Sequence, residues 1–116
     1  MKPVEYNFLP ITSGNTLLAT TFTLMLDSNT PLNLTGAIIR SQFRREKTDG
    51  KIMDTLITGD GFTLSNPENG EFTLDQKDIK WPSGKYYYDI AVTIDGITLT
   101  YIQGSIEILQ NITTHA

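Results

Sequence analysis

Few of the side chains that carry out chemistry are present in this chain. Its 116 residues include no cysteine and a single histidine, His115, next to the last position. Without cysteine there is no disulfide, no thiolate metal site and no cysteine nucleophile. His115 reads as a solvated tail residue rather than a base or a ligand. No serine sits in a nucleophile elbow, and no glycine-rich loop leads into a helix to cradle phosphate. The carboxylates Asp49, Asp54, Asp60 and Glu68 fall near turn signals. They lack the ligand spacing of an EF-hand, so they read as solvated loop charges and not as a calcium site. The expectation is a protein that is not an enzyme, with no cofactor and no metal.

The remaining chemistry is that of recognition. Arg40, Arg44, Arg45, Lys47 and Lys51 hold five of the nine cations. In a strand, Arg40, Gln42 and Arg44 share one outward face. That face is either a positive patch for an acidic partner surface or an edge strand kept soluble by charge. The run Tyr86-Tyr87-Tyr88 suggests stacking, but alternation sends Tyr86 and Tyr88 inward and leaves only Tyr87 outside. An outward tyrosine suits an oligomer interface. Asp89 lies outward beside Tyr87 and could pair with an arginine of a neighbouring strand, a contact worth under about 1 kcal/mol if exposed. Trp81 reads as a lid on the end of the fold, with ligand stacking as the other option. The candidate interaction residues are therefore Arg40, Gln42, Arg44, Tyr87 and Asp89.

Strands must position these residues. The chain has 17 Thr and 13 Ile against 4 Ala, so β-branched residues dominate and the best helix former is nearly absent. Turn signals recur at 13–15, 27–31, 49–50, 59–61, 66–70, 82–84 and 95–96. Half of the gaps are about ten to fourteen residues, the spacing of a β-sandwich or barrel of short strands. The expected fold is all-β, an antiparallel β-sandwich of seven to nine strands in one domain over residues 1–116.

Alternation phases the strands. Leu18, Thr20, Phe22, Leu24 and Leu26 are expected inside, as are Ala37, Ile39, Ser41 and Phe43. In 85–94 the inward set is Tyr86, Tyr88, Ile90, Val92 and Ile94. Asp95-Gly96 between two alternating runs is a hairpin signal. The next strand changes phase: Ile97, Leu99 and Tyr101 are odd, whereas Ile102, Ile106 and Ile108 are even. That slip predicts a β-bulge at Tyr101-Ile102, which turns both sets inward. Gly104 marks a close backbone approach, Gly36 relieves crowding as a strand opens, and Leu32 and Leu34 plug the end of the fold. Residues 75–80 are expected to form at most one helical turn before Pro82.

Thirteen acidic against nine basic side chains give a net charge of −4. That balance opposes a nucleic-acid footprint, which needs a clustered positive excess. No apolar run exceeds three residues, so neither a transmembrane helix nor a signal-peptide core is expected.

Five phrases carry a resemblance, the first of them running from Pro31 to Arg44. They are Pro31-Leu32-Asn33-Leu34-Thr35-Gly36-Ala37 with Arg40-Ser41-Gln42-Phe43-Arg44, preceded by Gly14-Asn15-Thr16, then Asn69-Gly70-Glu71-Phe72-Thr73-Leu74, Gly84-Lys85-Tyr86-Tyr87-Tyr88-Asp89-Ile90 and Ile102-Gln103-Gly104-Ser105-Ile106-Glu107-Ile108. Their order and spacing over residues 12–113 resemble the immunoglobulin-like domain at the N-terminus of bacteriophage upper-baseplate proteins and small tail-associated homologues. Two departures are Asn33, where that family carries Asp, and Trp81-Pro82, where it carries a short alanine-rich turn. The resemblance implies an immunoglobulin-like sandwich and a virion structural role in the tail, baseplate or head–tail connector. It implies other virion proteins as partners, a homo-oligomer or a ring-bound subunit, and no catalysis, nucleic acid or membrane. It also implies a place in the virion, with assembly in the host cytoplasm. The competing reading is a carbohydrate- or receptor-binding module on a particle surface, using Tyr87, Trp81 and loop carboxylates.

Overall fold

A computed structural model describes residues 3–45 and 51–112. Lys47, the Asp49-Gly50 turn and His115 lie outside the described residues. The strands in chain order are β1 (Val4–Glu5), β2 (Ile11–Thr12), β3 (Thr16–Leu17), β4 (Thr20–Thr23), β5 (Ile38–Arg44), β6 (Ile52–Thr58), β7 (Gly61–Asn66), β8 (Glu71–Leu74), β9 (Lys77–Asp78), β10 (Gly84–Ile94) and β11 (Ile97–Leu109). Seven of these have four or more residues, and no α-helix occurs among the described residues. The all-β expectation holds.

The strands form one curled sheet in the order β1-β11-β10-β5-β6-β7-β8-β4, with β2 also against β11, and β3 pairs separately with β9. This sheet is mixed, which corrects the expectation of purely antiparallel pairing. β1 and β2 run parallel to β11, and β7 runs parallel to β6. Two-residue strands carry no alternation to read, so their direction comes only from tertiary pairing. The β6–β7 contact is a corner of the chain. Gly59 and Gly61 turn it with φ of 88° and 112°, and a Cβ on Gly61 would lie 2.6 Å from the Leu56 side chain.

Phe22, Leu24, Ile39, Phe43, Tyr86, Tyr88, Ile90, Val92, Ile106 and Ile108 are all buried, as the alternation requires. Phe62, Phe72, Leu74 and Ile79 complete the core. Its centre is aromatic: Phe43 stacks on Tyr88 at 5.0 Å, and Phe22 on Phe72 at 5.4 Å. Trp81 is buried against Phe43 and Tyr86, and its carbonyl accepts a bond from Ser13 Oγ at 2.8 Å. It is a lid, as expected, and is not available for ligand stacking.

Three local expectations change. Leu18 and Leu26 are 70% and 65% exposed, because β4 stops where its four-residue partner β8 stops. Leu26 N–H then bonds the Thr30 carbonyl and closes a surface loop. Residues 75–80 are extended rather than helical. Lys77 and Asp78 pair with Leu17 and Thr16, and buried Ile79 exchanges backbone bonds with Gly14 and Asn15. A 3₁₀ turn lies instead at Pro67–Asn69, where proline at its start and Gly70 in the left-handed region at its end suit it. A Cβ on Gly36 would meet nothing, so that glycine serves its φ of 76° rather than crowding.

The hairpin and the bulge stand where the sequence puts them. Asp95 and Gly96 have φ of 51° and 79°, a two-residue turn of the primed kind. Ile90 faces Ile102 while Ala91 faces Thr100, which leaves Tyr101 as the extra residue. The bulge brings Leu99 opposite Val92 and Ile97 opposite Ile94. They remain 45% and 65% exposed, since over this stretch β11 is the edge of the sheet and pairs with no described strand on its other side.

Candidate functional site

The register of β10 against β5 assembles the outward residues into one surface. Tyr87 faces Arg44, Asp89 faces Gln42, and Ala91 faces Arg40. On the other side of β10, Tyr87 faces Ser105 and Asp89 faces Gln103. β1 then adds Glu5 beside Gln103. Strands fix these side chains at sheet spacing, so the surface is laid out before any partner arrives.

A half-open groove of about 570 Å³ runs across this face. β5 contributes Gln42 and Arg44, and β10 contributes Lys85, Tyr87 and Asp89. Gln103, Gly104 and Ser105 line it from β11, and Glu5 and Asn7 form a wall beyond them. Four of the five candidate residues therefore lie in the groove. Arg40 shares the face but stands one row away, between Ala91 and Ile57.

Local bonds order the groove. Arg44 Nη2 donates to Gln42 Oε1 at 2.8 Å. Lys85 Nζ sits 5.6 Å from the centre of the Tyr87 ring, a cation–π contact. Asn7 Oδ1 accepts bonds from Ser105 N–H at 3.0 Å and Ser105 Oγ at 3.2 Å. The groove mixes signs, with Glu5 and Asp89 against Arg44 and Lys85, and so has no preference for a polyanion. The Asp89–arginine pair is not formed: its position opposite is Gln42, and the arginines lie diagonally. The ion pair between described residues is Lys77 with Asp54. Burial lowers the pKa of Lys77 below its ordinary value.

Alternation alone could not supply Glu5 and Asn7, because their segment has almost no strand of its own. The single clue was Gly104. A Cβ there would collide with the Tyr6 carbonyl and approach Asn7 Oδ1 to 3.0 Å. The residues 6–8 dock on β11 through Tyr6 N–H to the Gln103 carbonyl at 2.8 Å and Phe8 N–H to the Ser105 carbonyl at 3.0 Å. Beneath the groove, Tyr88 reaches across to this segment and donates its hydroxyl to the Tyr6 carbonyl at 2.6 Å. Burial, with Tyr6 nearby, raises the Tyr88 pKa far above the usual 10.0.

Among the described residues, no group of three or more His, Asp or Glu side chains is placed to hold a metal ion. No helix among them is long and apolar enough to cross a membrane. No protein-family model matches the sequence, and no curated protein matches it.

Proposed function

We propose that this chain is a structural subunit that binds other proteins through the outer face of β5, β10 and β11. The observation that supports this best is the cross-strand placement of Arg44 beside Tyr87 and Gln42 beside Asp89 along one open groove. Arg and Tyr are enriched where interfaces draw their energy. A polar, mixed-charge, strand-built lining suits a protein partner better than a small molecule, whose sites are lined mostly by apolar and aromatic side chains.

The proposed setting is a bacteriophage virion, in the tail, baseplate or head–tail connector, on the resemblance of the five phrases given above. The partners are then other virion structural proteins, with the chain as a homo-oligomer or a ring-bound subunit, assembled in the host cytoplasm. In the same reading the curled sheet is a variant of the immunoglobulin-like sandwich. The carbohydrate-binding alternative is weakened. Trp81 is buried, and Lys85 sits against the Tyr87 ring.

The test is incorporation of a tagged copy into phage particles of the host strain. Arg40→Glu with Arg44→Glu is expected to reduce incorporation while the melting temperature stays nearly unchanged, since surface substitutions move stability by under about 0.5 kcal/mol. Normal incorporation of the folded double variant removes this face as the contact. Binding on a glycan array with no binding to particles favours the alternative.

A further inference from the structure

We infer that the open edge of β11 at residues 97–101 is a self-association site, which pairs antiparallel with the same stretch of a second copy about Leu99. This contact uses a strand edge and does not depend on the outer-face reading.

The edge is bounded on both sides. The hairpin turn ends β11 at Ile97. At the other end, β1 takes the edge from Ile102 onward, with Val4 beside Ile102. Pro3 precedes Val4 and has no N–H to continue that ladder. Between these limits no other described strand pairs with β11 on that side. The window is Ile97-Thr98-Leu99-Thr100-Tyr101, five uncharged residues in a chain of net charge −4. Two copies that repel overall meet most favourably where neither carries charge. Natural edges are usually protected by lysine, proline, a bulge or a covering element, and this window has a bulge at its last residue but neither lysine nor proline.

Backbone direction makes the window self-complementary. A two-residue turn makes Ile94 and Ile97 a hydrogen-bonded pair. By alternation, Leu99 bonds inward to Val92, and Thr98 and Thr100 turn their N–H and C=O groups to the open side. A two-fold axis through Leu99 sets Thr98 opposite Thr100 of the second copy, and Thr100 opposite its Thr98. Each pair exchanges two backbone bonds. Leu99 then faces Leu99 of the second copy as a close, non-hydrogen-bonded pair, and its 45% exposed side chain gains a cover. This is the isologous arrangement a two-fold dimer requires. Three to five residues bury far less than a standard interface, so the dimer is weak in isolation and gains strength where many copies are held together.

The test is sedimentation velocity on the full chain from low to high micromolar concentration, with amide hydrogen exchange on the same samples. Wild type is expected to show a concentration-dependent dimer. The Thr98 and Thr100 amides should slow as it forms, while the Leu99 amide should not change. Leu99→Lys and Leu99→Asp each place like charges opposite one another and should weaken the dimer about tenfold or more, roughly 1.4 kcal/mol. An equimolar mixture of the two should associate again. The Arg40→Glu, Arg44→Glu variant should dimerise like wild type, which separates this edge from the outer face. A wild-type chain that stays monomeric at high micromolar concentration overturns the inference. So do variants that dimerise unchanged, a mixture that fails to associate, or Thr98 and Thr100 amides protected equally at every dilution.

Discussion

Replacing Gly104 by alanine should detach the wall of the groove and destabilise the fold. Gly104 does not lie in the left-handed region, so alanine meets no backbone strain there. Its cost is steric: the new methyl group falls on the Tyr6 carbonyl, a backbone atom that cannot swing aside. The segment must move, which breaks the bonds from Tyr6 N–H to Gln103 and from Phe8 N–H to Ser105. These contribute about 1 kcal/mol each. Partial exposure of buried Phe8 adds a share of the roughly 1.5–3 kcal/mol its burial provides. Alanine returns about 0.5 kcal/mol by restricting the unfolded chain. The expected net loss is about 2–4 kcal/mol, read as a lower urea midpoint with faster exchange of the Tyr6 and Phe8 amides. Gly36→Ala is the control. Its methyl group meets nothing and its φ is 76°, so only backbone strain of about 1–2 kcal/mol applies, and residues 6–8 keep their protection. A Gly104→Ala protein within about 0.5 kcal/mol of wild type, with Tyr6 and Phe8 still protected, would refute the docking argument.

Two further perturbations bear on the layer under the groove. Burial raises the Tyr88 pKa, so above pH 10.0 the folded state holds a proton that the unfolded state releases. Stability from this group is complete below that pH and falls as pH rises past it. Tyr88→Phe should flatten the alkaline loss in pH-dependent urea melts. At neutral pH it should cost about 1 kcal/mol for the lost bond to the Tyr6 carbonyl; an alkaline limb as steep as wild type would contradict this. Ser41 Oγ is buried with no hydrogen-bond partner among the described residues, so Ser41→Ala should be neutral or stabilising by up to about 1 kcal/mol. A clear loss in thermal melts would show that the hydroxyl is satisfied.

The legible parts of this molecule are its long strands. β5 and β10 each have one face against the core and one in water, so alternation alone separates Ile39 and Phe43 from Arg40 and Arg44, and Tyr86 and Tyr88 from Tyr87. The bulge was legible for the same reason, since a phase change in an apolar series needs an extra residue. The short strands were not. β1, β2, β3 and β9 have two residues each, too few for a period, and hydrogen bonds to distant strands fix them. The β6–β7 corner was signalled by glycine at 59–61, but the parallel pairing it creates was not. The site divides along the same line. Gln42, Arg44, Tyr87 and Asp89 followed from alternation, whereas Glu5 and Asn7 reach the groove only through tertiary docking on Gly104. The Asp89–arginine pair failed because a same-face pattern does not give the register, and the register places Gln42 opposite.

The outer face of β5, β10 and β11 is proposed to be covered in the assembled state. Hydroxyl-radical footprinting of the chain, free and within the phage particles proposed as its setting, tests it directly, with Tyr87 as the reporter. Tyr86 and Trp81 are buried and serve as internal references that stay weakly oxidised in both states. Strong protection of Tyr87 on assembly is expected, with the references unchanged. Equal oxidation of Tyr87 in the free and assembled chain would contradict it.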